Sequence, residues 1–188
     1  MSKTWKRLPG LGLRGLLLAV MASAPLYLGL SHFASFEPYL LPLHAMQGKV
    51  RQAGRDVLVG PYPDDQLMQV LRRRGTRVVI SLLDPDLLYE KSLIQRENRL
   101  AAALGMVEIQ APMNSSEPPD SRLNAAALAR IRAYLDEHPG EHIYIHCYLG
   151  KHRAQTVAEL LFAKTAQLAA PRRARDAGRR VQAHAQAR

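Results

Sequence analysis

The chain has 188 residues, 47% of them hydrophobic, which suits one domain with a sizeable core and attached segments. Its formal net charge of +10 at pH 7 favours an anionic partner: phosphate esters, anionic lipid or nucleic acid. A single cysteine excludes an internal disulfide, so its thiol is inert, reactive or paired with another molecule.

The N-terminus has the pattern of a membrane anchor. A basic leader, residues 1–14, precedes a mostly apolar stretch, residues 15–33, which is near the lower length limit for a spanning helix. A cleaved signal peptide is the alternative, but the small residues 22–24 are followed by Pro25, which is unfavourable for cleavage. We therefore predict a single-pass anchor. The basic leader favours an N-inside orientation, with the rest outside the cytoplasm, on the periplasmic side in a Gram-negative bacterium.

Three segments follow the predicted anchor. Residues 34–54 are predicted to form a juxtamembrane connector, broken by Pro38, Pro42 and Gly48. Residues 55–170 form the predicted folded domain, and residues 171–188 form a basic tail. The tail lacks the aromatic residues that interleave with basic ones in nucleic-acid-binding segments, so no nucleic acid partner is predicted.

Strand and helix patterns alternate through the predicted domain. Short apolar runs indicate strands at residues 56–59, 78–83, 107–109 and 142–146. Helical spacing indicates helices at about 64–74, 89–104, 121–137 and 155–168. This order predicts an α/β domain with a largely parallel central sheet flanked by helices.

The only cysteine lies where the last predicted strand gives way to a loop and then a helix. A helix N-terminus offers unpaired N–H groups and a positive dipole end, which suit a phosphate and favour the thiolate of Cys147, the form that attacks. Gly150 lets the loop turn its N–H groups inward, and the planar fork of Arg153 can hold two phosphate oxygens. The non-functional alternative is a buried, inert thiol that precedes a helix with a surface arginine.

Residues 146–153, His-Cys-Tyr-Leu-Gly-Lys-His-Arg, resemble the His-Cys-x-x-Gly-x-x-Arg signature of protein tyrosine and dual-specificity phosphatases. The order of elements from about residue 56 to 168 also resembles the small dual-specificity type. The resemblance implies that Cys147 becomes a phosphocysteine, which water then hydrolyses, and it implies no metal or organic cofactor. It implies phosphotyrosine protein as substrate. The Gly-Lys-His-Arg end also looks like an atypical subgroup of plants and fungi that acts on inositol pyrophosphates, so a phosphorylated lipid or inositol is the rival.

The resemblance assigns further roles within the loop. His146 is expected to support the loop or tune Cys147 by hydrogen bonding. The residues expected to bind substrate are Tyr148, Leu149, Gly150, Lys151 and His152. Where the family usually has Ser or Thr after the arginine, this chain has Ala154, so breakdown of the phosphoenzyme is expected to be slow or absent; Thr156 does not obviously substitute.

The family's general acid, an aspartate about thirty residues before the cysteine, has no direct counterpart. Ser115 stands at that position, and Glu117, the nearest carboxylate, is our leading candidate. Asp120 is an alternative, although we favour it as the N-cap of the next helix. Asp84 is a third, because it ends a neighbouring strand; its bland role is a turn residue before Pro85.

Two other classes of function stay open. The chain is predicted to be a membrane-anchored cysteine-dependent phosphatase. The missing hydroxyl after Arg153 and the missing aspartate point to the second class, a phosphate-binding module that has lost turnover. A structural membrane protein with an incidental cysteine is the remaining alternative.

Overall fold

The computed structural model of the protein describes residues 13–162. An apolar helix, α1 (Leu13–Ser31), comes first. Two short helices follow, α2 (Phe33–Phe36) and α3 (Leu41–Met46), with the 3-10 turn Glu37–Tyr39 between them.

A five-stranded sheet organises the rest of this part of the chain. Its strands are β1 (Arg51–Gln52), β2 (Val57–Gly60), β3 (Val78–Ser81), β4 (Val107–Gln110) and β5 (Ile143–His146). The spatial order is β1-β2-β5-β3-β4; β1 pairs antiparallel with β2, and all other pairs are parallel. The predicted α/β fold with a largely parallel sheet is confirmed.

Helices connect the parallel strands, as the sequence pattern predicts. They are α4 (Asp65–Arg73), α5 (Leu88–Ala103) and α6 (Arg122–Glu137), and a further helix, α7 (residues 152–162), follows β5. The carboxylate of Asp64 caps α4 by accepting a hydrogen bond from Leu67 N at 2.7 Å. The last helix starts three residues earlier than predicted, and its predicted continuation to residue 168 lies outside the described residues, as does the basic tail.

Cys147 directly follows β5, the central strand of the sheet. Within the sheet, Gly60 of β2 and Ser81 of β3 both lie opposite His146, the last residue of β5. The chain segments that leave these three strands therefore emerge side by side at the carboxyl edge, where parallel sheets bind ligands. β5 is buried at all four positions because strands flank it and apolar side chains cover both faces.

The segment predicted as a connector, residues 34–54, is packed onto the domain. It contributes β1 to the sheet and holds Glu37 in a buried position, where Arg96 Nη1 lies 3.7 Å from its carboxylate. The sheet therefore begins at Arg51, before the predicted domain start at residue 55. Pro38 and Pro42, predicted as breaks, each lie in the first turn of a short helix, and the long-range contacts of this segment leave no local sequence signal.

The predicted transmembrane anchor is not confirmed. Among residues 13–162, no single helix is long and apolar enough to cross a membrane. Two consecutive helical segments, Leu17–Ser31 and Phe33–Tyr39, are long and apolar enough when taken together, but the chain bends by 68° between them.

Candidate active site

Cys147 begins a tight loop, residues 147–152, which we call the phosphate loop. The cysteine is 3% exposed and directly follows β5. Gly150 has φ +67°, and a Cβ there would collide with the backbone of Gly60 and come within 2.7 Å of Pro61 Cα. The loop is thus seated on the end of β2, and only glycine fits its closest approach.

Unpaired backbone N–H groups line the phosphate loop and the first turn of α7. In the described part of the chain, Gln155 N is the first to donate along this turn, to Lys151 O at 3.1 Å, and no acceptor is found for the N–H groups of residues 148–154. A glycine-containing loop that runs into a helix N-terminus presents such groups to an anion. The arrangement suits a phosphate beside the sulfur of Cys147.

Arg153 is fixed against the loop by three neighbouring segments. Its Nη1 donates to Leu82 O at 2.9 Å, to Met113 O at 3.1 Å and to Glu90 Oε2 at 2.9 Å. Its Nη2 donates to Glu90 Oε1 at 2.5 Å. Burial alone would lower the pKa of Arg153, but the hydrogen bonds and charge of Glu90 outweigh it and raise that pKa above its usual value. Arg153 is therefore a permanent cation.

The pairing with Glu90 leaves one edge of the guanidinium available. Arginine carries five N–H donors, and Glu90 takes the end formed by Nη1 and Nη2. Nε and the other hydrogen of Nη2 have no acceptor among the described residues. These two donors form the side of the fork that matches two oxygens of a phosphate.

His146 is locked in a fully buried pair. Its Nε2 lies 2.7 Å from Glu97 Oε1, and Ser81 Oγ donates to the other oxygen of Glu97 at 3.1 Å. The rings of Tyr62 and Tyr144 pack against the imidazole, with centroids 5.9 and 5.7 Å away. The supporting role expected of His146 thus has a partner on α5, which orients the residue directly before the nucleophile.

The charge of Arg153 is compensated by Glu90, whose carboxylate lies 2.5 Å from its Nη2. The uncompensated positive field at Cys147 therefore comes from the N–H groups of the loop and from the dipole of α7.

The side chains of the phosphate loop divide into two groups. Tyr148 is 9% exposed and packs on Phe33, so a contact with substrate is left to its backbone N–H; burial raises the pKa of its phenol to about 12. Leu149 is half-buried in the same apolar cluster. Lys151 and His152 are exposed at the loop rim, where a substrate group beyond the phosphate would lie.

The candidate acid Glu117 lies on the exposed loop between β4 and α6. This loop leaves the carboxyl edge of the sheet and touches the site at Met113, whose carbonyl accepts from Arg153. The buried Asn124 holds it in shape by donating to the carbonyls of Asn114, Glu117 and Pro118. The carboxylate of Glu117 makes no hydrogen bond or ion pair with the described residues.

The other two candidate acids have different surroundings. The prediction that Asp120 caps α6 is wrong: Ser121 is the N-cap, and its hydroxyl accepts from Asn124 N at 3.3 Å. Aspartate and serine cap equally well, so adjacent candidates cannot be ranked from sequence. Asp84 Oδ1 accepts a hydrogen bond from Asp86 N at 2.9 Å. Asp84 therefore has the role of a turn residue, which was the alternative to its role as an acid.

Ala154 is fully buried in the main core cluster, which also contains Cys147. The position where a hydroxyl is usual therefore faces apolar neighbours. Thr156 does not replace it, because its hydroxyl donates to His152 O at 3.2 Å, within α7.

Sequence reasoning missed Glu90 as the partner of Arg153 and Glu97 as the partner of His146. Both are fully buried on α5, one heptad apart and on the same face as Leu93, Ile94 and Ala101. Two carboxylates on the buried face of one helix are the signal that could have found them, because buried charges are paired.

The sequence matches no protein-family profile and no protein of curated function. The fold does match solved structures. Two crystal structures of a Shewanella putrefaciens CN-32 protein named "Putative phosphatase (DUF442)", at 1.40 and 1.60 Å resolution, each share it at a TM-score of 0.52 and 24% sequence identity. The match covers 63% of this chain and 72% and 69% of those chains. At this identity, the likeness establishes a shared fold.

Proposed function

We propose that the protein hydrolyses phosphomonoesters through a phosphocysteine intermediate. The thiolate of Cys147 attacks phosphorus, the S–P bond forms, and the P–O bond to the leaving group breaks. The leaving oxygen takes a proton from an acid. Water then attacks the phosphocysteine, releasing phosphate and restoring the thiolate. No cofactor enters either step.

The proposal depends on one observation. Cys147 begins a loop whose backbone N–H groups are unpaired, and Arg153 is held in a fixed orientation beside this loop. Catalysis of phosphoryl transfer is largely positioning and charge stabilisation, which these groups supply. The shared fold with a protein named as a phosphatase supports the proposal, as does the resemblance of residues 146–153 to the tyrosine phosphatase signature. That resemblance implies phosphotyrosine protein as substrate.

Glu117 is our proposed acid, and the leaving group tests it. Glu117→Gln should slow hydrolysis of alkyl phosphates, whose leaving oxygen needs a proton, by about 10²-fold or more. Hydrolysis of an aryl phosphate with an acidic phenol should change little. Asp120→Asn and Asp84→Asn, assayed in parallel, provide the comparison. Equal rates for native protein and Glu117→Gln on the alkyl ester would remove Glu117 from the mechanism.

A phosphate-binding module without turnover is the second candidate. The observation that favours it is the apolar surrounding of Ala154, which leaves no hydroxyl to help the thiolate leave. Such a protein would bind phosphate at the loop and release no product.

We also propose a membrane location for the protein. The apolar stretch 15–33 and the basic leader support a single-pass anchor with the domain outside the cytoplasm. A reporter active only outside the cytoplasm, fused to the C-terminus, should be active; a silent reporter would reverse the orientation.

The deciding experiment is phosphate release from an aryl phosphate by the full chain in detergent, with a metal chelator present. Cys147→Ser should abolish turnover. Arg153→Ala should lower it by about 10³-fold or more, and Arg153→Lys, which keeps the charge but loses the fork, should also be impaired. No turnover in a folded native protein that still binds phosphate would establish the binding module instead.

A further inference from the structure

From residue 17 to residue 28, helix α1 is apolar and exposed on all sides. Residues 17–28 are all exposed and include no charged residue. A helix that is apolar all round needs apolar surroundings all round, which the core of a large protein or a membrane supplies. The hydrocarbon of a lipid bilayer provides such surroundings.

The exposed apolar surface continues beyond the 68° bend that follows α1. Four large side chains of the connector point to solvent: Phe36 at 55%, Tyr39 at 81%, Leu41 at 74% and Met46 at 53% exposure. Tyrosine is enriched where hydrocarbon meets headgroups. Scattered apolar residues are ordinary on a surface, but a patch joined to an apolar helix marks an interaction site.

In the sequence, several basic residues precede or follow this apolar segment. No acidic residue precedes Glu37, and the leader contains Lys3, Lys6, Arg7 and Arg14. Lys49, Arg51 and Lys151 are exposed close to the phosphate loop or the start of the sheet. Basic residues next to an apolar segment attract anionic headgroups.

The end of α1 is fastened to the phosphate loop with almost no spacer. Two residues after α1, the ring of Phe33 packs on Tyr148, the neighbour of the nucleophile, with centroids 6.0 Å apart. Gly48 N donates to Leu149 O at 2.7 Å, and Arg96 Nη1 donates to Ala34 O at 3.2 Å. A bilayer around α1 would therefore hold the loop at the level of its headgroups.

We propose that α1 and the connector seat this face of the protein on a lipid bilayer, and that the phosphate loop hydrolyses the phosphomonoester of a phospholipid headgroup. The inference rests on the proposed function and names its substrate class. The S–P bond forms at Cys147, the P–O bond to the lipid alcohol breaks, and that alcohol leaves with a proton. Water then releases phosphate.

The test compares one headgroup with and without its acyl chains. The full chain is reconstituted in vesicles of phosphatidylcholine and phosphatidylglycerol that contain phosphatidylinositol monophosphate. Phosphate release is measured from this lipid, from glycerophosphoinositol monophosphate, from a phosphotyrosine peptide and from a soluble aryl phosphate. We expect kcat/KM for the lipid to exceed that for the deacylated ester by about 10²-fold, because the bilayer confines enzyme and substrate together.

A surface variant separates docking from chemistry. Tyr39→Ser combined with Leu41→Ser alters two highly exposed side chains and should lower the rate on the lipid at least about tenfold, as expected from lost apolar burial. Its rate on the aryl phosphate should stay native. Val107→Ser, at an exposed position on the opposite edge of the sheet, is the matched control and should leave both rates unchanged.

The outcomes distinguish an error in the lipid substrate from an error in the phosphatase activity itself. Turnover of the aryl phosphate with equal rates on the lipid and the deacylated ester overturns this inference and leaves the proposed function standing. Preference for the phosphotyrosine peptide over the lipid does the same. No turnover of any ester overturns the proposed function, and this inference with it.

Discussion

Glu90 accepts hydrogen bonds from two nitrogens of Arg153 and one from Asp84 N at 2.6 Å, so one buried carboxylate on α5 links the segment after β3 to the first turn of α7. A buried charge of this kind positions the guanidinium before substrate arrives. The supporting residue is therefore as informative about the chemistry as Arg153 itself.

Replacement of Glu90 tests this positioning. In Glu90→Gln, the amide has one acceptor where the carboxylate has two, and its NH2 group faces the guanidinium. We expect kcat/KM on an aryl phosphate to fall by about 10²-fold and the unfolding free energy to fall by up to about 3–5 kcal/mol. Glu159→Gln, at an exposed site on α7, is the control and should change stability by less than about 0.5 kcal/mol. Native kcat/KM in Glu90→Gln would show that Arg153 needs no such partner.

The alanine at position 154 leads us to predict that hydrolysis of the phosphocysteine limits turnover. Without a hydroxyl at this position, we expect a burst of the phenol product followed by slow steady turnover. Ala154→Ser should raise the steady rate and shrink the burst, at a stability cost of about 1–3 kcal/mol for a hydroxyl in apolar surroundings. Thr156→Ala, which removes the hydroxyl bound to His152 O, is the control and should leave both phases as they are. An unchanged steady rate in Ala154→Ser would place the slow step elsewhere.

At the scale of single residues, sequence predicted the nucleophile and the arginine but not their partners. Cys147, Gly150 and Arg153 lie within one short motif, so their roles depend on local geometry. Glu90 is 63 residues from Arg153, and Glu97 is 49 residues from His146. These two pairs form only when α5 packs on the sheet. A single sequence predicts neither this packing nor which residue each carboxylate will contact.

The phosphate loop depends on its seat at the end of β2, and Gly150 tests that dependence. Gly150→Ala should abolish activity and destabilise the fold, because the added Cβ meets the backbone of Gly60 and Pro61. Gly105→Ala is a matched control: its φ of +63° is close to the +67° of Gly150, but its Cβ meets no atom within 4 Å. The control should show only backbone strain, about 1–3 kcal/mol, and retain activity. An active Gly150→Ala protein would contradict the close seating.

At the scale of elements, strands and helices were predictable because each leaves a local period. β3 and β5 are buried on both faces and appear as continuous apolar runs, while α5 and α6 show helical spacing and end two or three residues before a glycine. The connector was less predictable. Its hydrogen bonds with Leu149 and Arg96 are long-range, and its composition of proline, glycine and scattered apolar residues predicts only an irregular segment.

For the molecule as a whole, Glu108 on the edge strand β4 should make stability depend on pH. Burial first, and then the charge of Glu97, raises the pKa of this carboxyl to about 7 from an ordinary 4.5. The folded state therefore holds the proton more tightly than the unfolded state. The contribution of Glu108 is greatest below pH 4.5 and is lost as pH rises toward about 7.

Glu108→Gln imitates the protonated form and should remove this loss. Urea unfolding should show native protein and variant similarly stable below pH 4.5, with the variant more stable above pH 7. A stability difference that stays constant between these limits would contradict the account.

The central claim is that the chain forms a covalent bond between sulfur and phosphorus during its reaction. The most direct test is rapid quenching of the full chain with an aryl phosphate, followed by mass spectrometry of the peptide that contains Cys147. The account predicts one added phosphoryl group on that cysteine, more abundant in native protein than in Ala154→Ser and absent from Cys147→Ser. Product release without any phosphorylated Cys147, or equal phosphorylation of Cys147→Ser, would contradict it.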